Sequence, residues 1–412
     1  QTSVKRIAAF MAVFCLVLSS LSPAAANAAT SDGTVPAVEE VTRKSQETAG
    51  YLLSLADYST MTDTSVFYNA SRNLFLAIRS GLECNDKVLS YITAIKPLLD
   101  SEGKLTIPVA KWGYANDVIA CEAYMINILA AAGLDVNNFD NKNLVAALNE
   151  MLSDKTLDDY SNNLNCYHLG MLYAAVDIYS AGITNSSQIK ELLLSVIEQK
   201  SNENGFDCWG FGGFADDYGT VLPGFSSLYE VNSSFKTIIN NSKAYADNNF
   251  IYGDNGGILS GSEISANSTA LALAFFTTFD EAEKAAVLYN ALMSAASNDV
   301  SGQFTGYNPI LASQDALLGL VTYQYSLSGI ANVFDTRKTL VKTEDSSNSE
   351  SDAEPNDNTD MEDIQAGTLK PFDTSADSVE TADVSTPAVY TVMLLAAVCS
   401  LAAAGVQKVR KI

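Results

Sequence analysis

The sequence predicts an all-α protein in which six helical hairpins close into a ring, an α6/α6 toroid. Helices that are apolar on nearly every side alternate with helices that keep one polar side, and the apolar type recurs about every fifty residues. A helix that is apolar all round must be buried all round, whereas an amphipathic helix covers it from outside. Two concentric layers fit this pattern. An open solenoid is the alternative, although it would leave two apolar ends that need caps.

The repeat predicts where each helix lies. Glycines that follow four buried helices predict left-handed C-caps, and Asp280 with Glu283 predicts a capping box. Pro223 predicts a break in the fourth buried helix. The buried helices are expected to start near Ser65, Asn116, Asn165, Asp217, Asn267 and Asp315, with C-cap glycines Gly81, Gly133, Gly182 and Gly329. The outer helices are expected over 36–55, 86–99, 142–152, 187–200, 234–247 and 280–297.

Both ends of the chain predict export and anchoring. A basic start, an apolar stretch and a small-residue cleavage site predict a signal peptide over 1–28. An uncharged apolar segment over 388–406, followed by a basic cytoplasmic tail over 407–412, predicts a transmembrane helix. The acidic segment 341–386 predicts a disordered stalk. The toroid, over 35–340, would then be an extracellular ectodomain anchored in the membrane at the cell surface.

Charge and histidine content argue against several function classes. The net charge is -24 and no basic stripe is present, which argues against a nucleic-acid partner. A single histidine, His168, excludes most histidine-dependent catalysis. A zinc site built from His168, Cys166, Cys208 and Asp207 is chemically permissible, but a hydrogen-bonded histidine near the cavity mouth is the favoured interpretation. No metal and no cofactor are expected.

The cysteines of the predicted ectodomain divide into two pairs. Cys166 and Cys208 should lie on the same rim in adjacent repeats, so a disulfide between them is a hypothesis. Cys84 and Cys121 should lie on opposite rims, about 20 Å apart, which is too far for a disulfide. These two are expected to stay reduced.

One rim of the predicted ring carries the candidate site. The long connections, over 100–115, 201–215, 248–266 and 298–313, should all fall on this rim, and long loops on a rigid scaffold often carry function. Their glycine–aromatic runs could stack on a flat or sugar-like ligand, or could pack one repeat against the next. The candidate ligand-binding residues are Trp112, Tyr114, Asp117, His168, Trp209, Phe211, Asp216, Asp217, Tyr252, Asp254, Tyr307 and Asp315.

Two motifs resemble a known superfamily. Asp254-Asn255-Gly256-Gly257 with the later Ser268-Thr269-Ala270, and Gly212-Gly213-Phe214-Ala215-Asp216-Asp217, resemble the repeat of terpenoid cyclase and protein prenyltransferase toroids. Transcobalamin-type carriers and Gram-positive surface proteins share that ring, and the C-terminal end is similar to a Gram-positive membrane anchor without its LPxTG signal. The resemblance implies the toroid fold. Phe214 stands where the cyclase Asp-x-Asp-Asp motif needs its first aspartate, so no catalytic residue is carried over.

Three functions fit these patterns. The first is a module that binds a small molecule, a glycan or a protein at the long-loop rim. The second is an extracellular glycosidase or lyase, for which Asp217 and Asp254 would be the carboxylate pair. The third is a structural domain that mediates contacts between surface proteins. The sequence favours binding, because no catalytic motif is complete.

Overall fold

The computed structural model describes residues 33–340 apart from residues 59, 331 and 339. The predicted signal peptide over 1–28, the stalk over 341–386, the anchor over 388–406 and the tail over 407–412 lie outside the described residues. Inside the described part of the chain, no helix combines the length and apolarity needed to span a membrane.

Within these residues the protein is all-α, as predicted, with thirteen α-helices and two very short β-hairpins. Half-exposed helices alternate with buried helices. The half-exposed helices are α1 (Val38–Leu55), α3 (Asn85–Ile95), α5 (Leu144–Leu152), α8 (Ser186–Gln199), α10 (Ser233–Asn249) and α12 (Ala282–Ser294). The buried helices are α2 (Thr64–Arg79), α4 (Asp117–Ala131), α7 (Leu169–Ile178), α9 (Ala215–Val221), α11 (Ala266–Thr278) and α13 (Pro309–Leu327). The remaining helix is α6 (Leu157–Asn162), and the hairpins pair β1 (Ser201–Asn202) with β2 (Gly205–Phe206) and β3 (Leu259–Ser260) with β4 (Glu263–Ile264).

Most helix boundaries lie within a few residues of their predicted positions, and the exceptions have local causes. Helix α13 begins at Pro309, well before Asp315, because the Asn308 side chain accepts hydrogen bonds from the backbone amides of Ile310 and Leu311. The fourth buried helix breaks at Val221 and continues as a 3-10 turn over Leu222–Leu228. The break follows from Pro223, which has no backbone N–H to donate.

Two predicted helix caps are wrong. Gly182 ends a 3-10 turn and does not adopt a positive φ, whereas Gly81, Gly133 and Gly329 do, with φ of 79°, 82° and 76°. Asp280 itself adopts a left-handed conformation with φ of 65°. The helix that follows is preceded by Glu281, whose side chain makes no capping hydrogen bond, so the predicted capping box is absent at this helix.

The buried helices pack on one another in chain order, and the last of them also packs against α1 and α2. Glycines permit the close approaches: a Cβ at Gly219 or at Gly319 would collide with backbone of α11. Hydrogen bonds join the end of α2 to the C-terminal end of the described chain. Arg79 donates to the carbonyl oxygens of Val333 and Asp335, each at 2.9 Å.

Side chains of the buried helices hold the long connections in place. Several of these connections open with a small antiparallel bridge, such as Leu99 with Leu105 and Ala296 with Phe304. The backbone amide of Leu105 donates to Glu122 Oε2 at 2.7 Å, that of Ile258 to Thr269 Oγ1 at 3.0 Å, and that of Phe304 to Ser313 Oγ at 2.9 Å. Each loop is therefore fixed to the helix that follows it.

Candidate functional site

The long connections over 100–115, 201–215, 248–266 and 298–313, together called the long-loop rim, expose several aromatic side chains. Trp112, Trp209, Phe211 and Tyr307 were expected to bind a ligand, and all four are exposed, Tyr307 to 90%. Phe214, which is also exposed, was not chosen, although it belongs to the same glycine–aromatic run. Folding normally buries aromatic surface, so exposed rings on ordered loops are available for a partner.

The Trp209 loop is held by the carboxylate of Asp207, which was predicted only as a possible zinc ligand. Asp207 is buried, and its Oδ1 accepts the backbone amides of Trp209 at 3.0 Å and Gly210 at 2.7 Å. Its Oδ2 accepts the amide of Gly212 at 2.7 Å. Three backbone amides that donate to one buried side chain make a rigid turn. An aspartate directly before a glycine-rich run is the signal that could have identified this role.

A disulfide fixes the same loop from its other side. Cys166 and Cys208 are joined, as the sequence hypothesis paired them, with their Cα atoms 5.9 Å apart. The Trp209 indole N–H donates to the Tyr167 hydroxyl at 3.3 Å, and the two rings meet edge to face. The contacts with Tyr167 hold the indole in place, whereas the nearby Phe211 side chain is exposed to solvent. Cys84 and Cys121 are free and buried.

The Trp112 loop is held by Thr64, whose Oγ1 accepts the backbone amide of Ala110 at 3.0 Å, and by the buried carboxylate of Asp117. Asp117 Oδ2 accepts the backbone amide of Tyr114 at 2.8 Å, and Oδ1 accepts that of Asn165 at 2.9 Å. Burial raises the pKa of Tyr114, and the charge of Asp117 adds to that rise. Trp112 stays exposed, with the Lys111 ammonium 5.1 Å from its ring centroid. Asp117 therefore supports the loop and does not face a ligand.

The two carboxylates that the glycosidase hypothesis pairs, Asp217 and Asp254, differ in burial. Asp217 is fully buried, and its Oδ2 accepts the Cys208 amide at 3.3 Å. Burial raises the pKa of Asp217 to about 7, and Asp207 adds to the rise while the Cys208 amide opposes it. Asp217 Oδ1 has no partner among the described residues. Asp254 faces solvent, so the two carboxyl groups do not line a common open groove.

A polar cluster joins the first and last buried helices. The Arg72 guanidinium pairs with Asp315 Oδ1 at 2.7 Å, and the Asn267 amide donates to Asp315 Oδ2 at 2.9 Å. Asp216, half-buried, is close enough to sense both charges: burial raises its pKa to about 6, Asp315 adds to the rise, and Arg72 opposes it. Asp315 thus links distant parts of the chain.

His168, which was expected to be a hydrogen-bonded histidine, packs with its ring against other aromatic side chains. Its centroid lies 4.4 Å from that of Tyr68, which in turn meets Tyr124 edge to face. The Nδ1 atom has no partner within the described part of the chain. Burial lowers the pKa of His168, and the charge of Asp117 opposes that shift. The ring is therefore neutral near pH 7.

No cluster of three or more histidine, cysteine, aspartate or glutamate side chains in the described ranges could hold a metal ion. The permissible zinc site fails because the sulfurs of Cys166 and Cys208 are bonded to each other. Tyr252, the remaining candidate, is half-buried: its hydroxyl donates to the Ala246 carbonyl at 3.4 Å, and the Lys284 ammonium lies 4.9 Å from its ring centroid.

Comparison of the chain with protein-family models finds no match, and no curated protein matches it. The geometry of the long-loop rim is therefore the basis for proposing its function. Most of the acidic side chains predicted to bind a ligand are buried and bonded to other parts of the protein. Most of the aromatic side chains predicted to bind a ligand are exposed.

Proposed function

We propose that this protein is a binding module: an α6/α6 toroid, displayed at the cell surface by a membrane anchor, that captures a ligand or surface partner at its long-loop rim. One observation carries the proposal. The rim exposes Trp112, Trp209, Phe211 and Tyr307, and buried side chains (Asp117, Asp207 and Ser313) hold their loops in place. Rigid aromatic side chains that are already ordered bind at a low cost in conformational entropy.

The same arrangement favours binding over hydrolysis. A catalytic carboxyl group must reach the atom that it protonates or attacks. Asp117 and Asp217 instead accept hydrogen bonds from backbone amides, and Asp315 is paired with Arg72. The glycosidase or lyase alternative would therefore have to use other carboxyl groups.

Ring closure is supported by the contacts of the two chain ends. The Arg72–Asp315 ion pair joins the first buried helix to the last, across 243 residues of sequence. An open solenoid would keep these two helices apart, because each of its repeats touches only its neighbours. The toroid is also the fold that the resemblance to terpenoid cyclases and prenyltransferases implies.

Display outside the cytosol is supported by the disulfide between Cys166 and Cys208. Disulfides persist in oxidising compartments and are rare in the cytosol. The proposed route is export by the signal peptide over 1–28 and retention by the helix over 388–406.

Tryptophan fluorescence tests the proposal, because the chain has two tryptophans and both are exposed on the long-loop rim. The full-length chain is screened against neutral oligosaccharides, a corrinoid, an isoprenoid and peptides. A ligand of the rim should change the emission spectrum and raise the Tm. Trp112→Phe and Trp209→Phe then identify the loop that responds. A ligand that raises the Tm of both variants and the wild type equally, without altering emission, would place binding elsewhere and contradict the proposal.

A further inference from the structure

Two recesses lie side by side next to the Trp209 loop, the first with a mainly polar surface and the second shallower and more apolar. The first, called the loop recess, has a volume of ≈ 330 Å³ and is lined by Asn202, Asn204, Asp207, Phe211, Tyr245 and the glycines of 210–213. The second, called the helix recess, has a volume of ≈ 340 Å³ and is lined by Glu198, Ser201, Asn202, Ser234, Thr237 and Ile238. Asn202 borders both recesses, so one extended ligand could occupy them together.

The lining of the loop recess favours an uncharged ligand. Among the described residues no lysine or arginine lines either recess, so no cationic side chain there would neutralise a phosphate or carboxylate ligand. Asp207 is the one acid of the loop recess, and its carboxylate already accepts three backbone amides. Lys200, whose ammonium donates to the Cys208 carbonyl at 3.2 Å, lies close enough to Asp207 for the two charges to interact. The helix recess has one acid, Glu198, which is exposed and whose Oε1 accepts the hydroxyl of Ser234 at 2.7 Å. The preference for an uncharged ligand therefore rests on the loop recess.

The remaining groups are those that recognise sugars. Phe211 presents an exposed ring, and Asn204 and Tyr245 supply an amide and a hydroxyl that make no side-chain hydrogen bond within the described residues. Asn202 uses its carbonyl oxygen for the Asn204 backbone amide at 2.7 Å, which leaves its NH₂ group as a donor. An aromatic face beside amides and hydroxyls matches the C–H face and the hydroxyls of a pyranose ring.

The size of the recesses sets the length of the ligand. Volumes of ≈ 330 and ≈ 340 Å³ lie at the low end of the ~300–1,000 Å³ typical of ligand sites, so each recess takes about one sugar ring. Glycine keeps the loop recess open at Gly212, where φ is 104° and a Cβ would lie 2.8 Å from the Tyr245 hydroxyl. The bonds to Asp207 and the disulfide hold this shape before a ligand arrives.

We infer that the two recesses form a binding site for a neutral glycan of two or more sugar units, with one unit against Phe211 and the next across Asn202. This inference rests on the proposed binding function of the long-loop rim and names its ligand class. The sugar units could come from a soluble oligosaccharide or from the end of a surface glycan, since both present the same hydroxyls and C–H faces.

Calorimetric titration of the full-length chain tests the inference, in a detergent without a sugar headgroup. The probes are glucose, galactose, mannose and N-acetylglucosamine, the disaccharides cellobiose, maltose and chitobiose, and a glycan array that presents immobilised chains. At least one disaccharide should bind about ten-fold or more tightly than its monosaccharide, because it fills both recesses. Binding to the array alone would assign the site to surface glycans.

Substitutions locate the site. Phe211→Ala should weaken binding about ten-fold through loss of stacking. Asn202→Ala should reduce the affinity for the disaccharide to that for the monosaccharide. Asn204→Ala, which keeps the exposed loop backbone, is a second variant of the loop recess. Asn138→Ala, an exposed asparagine outside the rim, is the matched control and should bind like the wild type.

The outcomes separate this inference from the proposed function. If no neutral sugar binds while a corrinoid, an isoprenoid or a peptide changes tryptophan emission, the glycan inference fails and the binding function stands. If a disaccharide binds equally well to Phe211→Ala, Asn202→Ala and the wild type, the glycan is bound elsewhere and the assignment of the recesses is overturned. If no probe of any class binds, both fail.

Discussion

The two tryptophans of the long-loop rim lie on loops that are held by different means. The Trp112 loop is held by hydrogen bonds from the amide of Ala110 to Thr64 Oγ1 and from the amide of Tyr114 to Asp117 Oδ2. The Trp209 loop is held by three hydrogen bonds to Asp207 and by a disulfide. Hydrogen bonds therefore hold the first loop, whereas a covalent bond also holds the second. Four predictions about stability test this difference between the two loops.

The largest expected effect is removal of the disulfide. Cys166→Ala with Cys208→Ala should lower the free energy of unfolding by about 4 kcal/mol, because the bond closes a chain segment of 42 residues. Urea unfolding with and without a reductant measures the loss. In a Trp112→Phe background the emission of Trp209 should also change. A double variant that matches the wild type in stability would show that the hydrogen bonds to Asp207 suffice.

Removal of the buried charge under the Trp112 loop should come next. Asp117→Ala leaves the backbone amides of Tyr114 and Asn165 without an acceptor, at a cost of about 3 kcal/mol in the free energy of unfolding. Asp117→Asn, which keeps one carbonyl acceptor, should cost less. In a Trp209→Phe background, urea unfolding and the emission of Trp112 report both effects. An unchanged Trp112 spectrum in the alanine variant would contradict this role of Asp117.

The Trp209 loop should also make stability depend on pH. Burial raises the pKa of Asp217 to about 7 in the folded state, from an ordinary value of 3.8 for an exposed aspartate. The stability that protonated Asp217 contributes is therefore present below about pH 4 and is lost as the pH rises towards 7. Between pH 5 and pH 8 the wild type should lose about 2–3 kcal/mol more than Asp217→Asn. Parallel unfolding curves for both proteins over this range would disprove the assignment.

The smallest expected effect is on the exposed rings themselves. Trp112→Ala and Phe211→Ala should each change the free energy of unfolding by no more than about 0.5 kcal/mol, because both side chains are more than half exposed. Thermal unfolding followed by circular dichroism measures this. A loss of several kcal/mol would mean that these rings pack between repeats, which is the structural alternative to ligand binding.

Local patterns were sufficient for most of the helices, and they failed where one residue overrode the pattern. Asn308 starts α13 earlier than the apolar run suggests, and a 3-10 turn replaces the expected cap at Gly182. At the candidate site the sequence identified the exposed rings and the cysteine pair. It did not identify Asp207 as the support of the Trp209 loop, because the pattern that signals a turn also fits a zinc ligand beside Cys208, and only the folded structure distinguishes the two.

The sequence by itself determined the all-α class, the order of the helices and the glycine–aromatic loops, since periodicity and turn residues act over a few neighbouring positions. Only the tertiary structure decided which rim acids are buried and bonded. Asp254 and Asp315 look alike in the sequence, yet one faces solvent and the other pairs with Arg72 from a helix 243 residues away. Burial and charge pairing depend on such distant neighbours, and the role of a carboxylate follows from them.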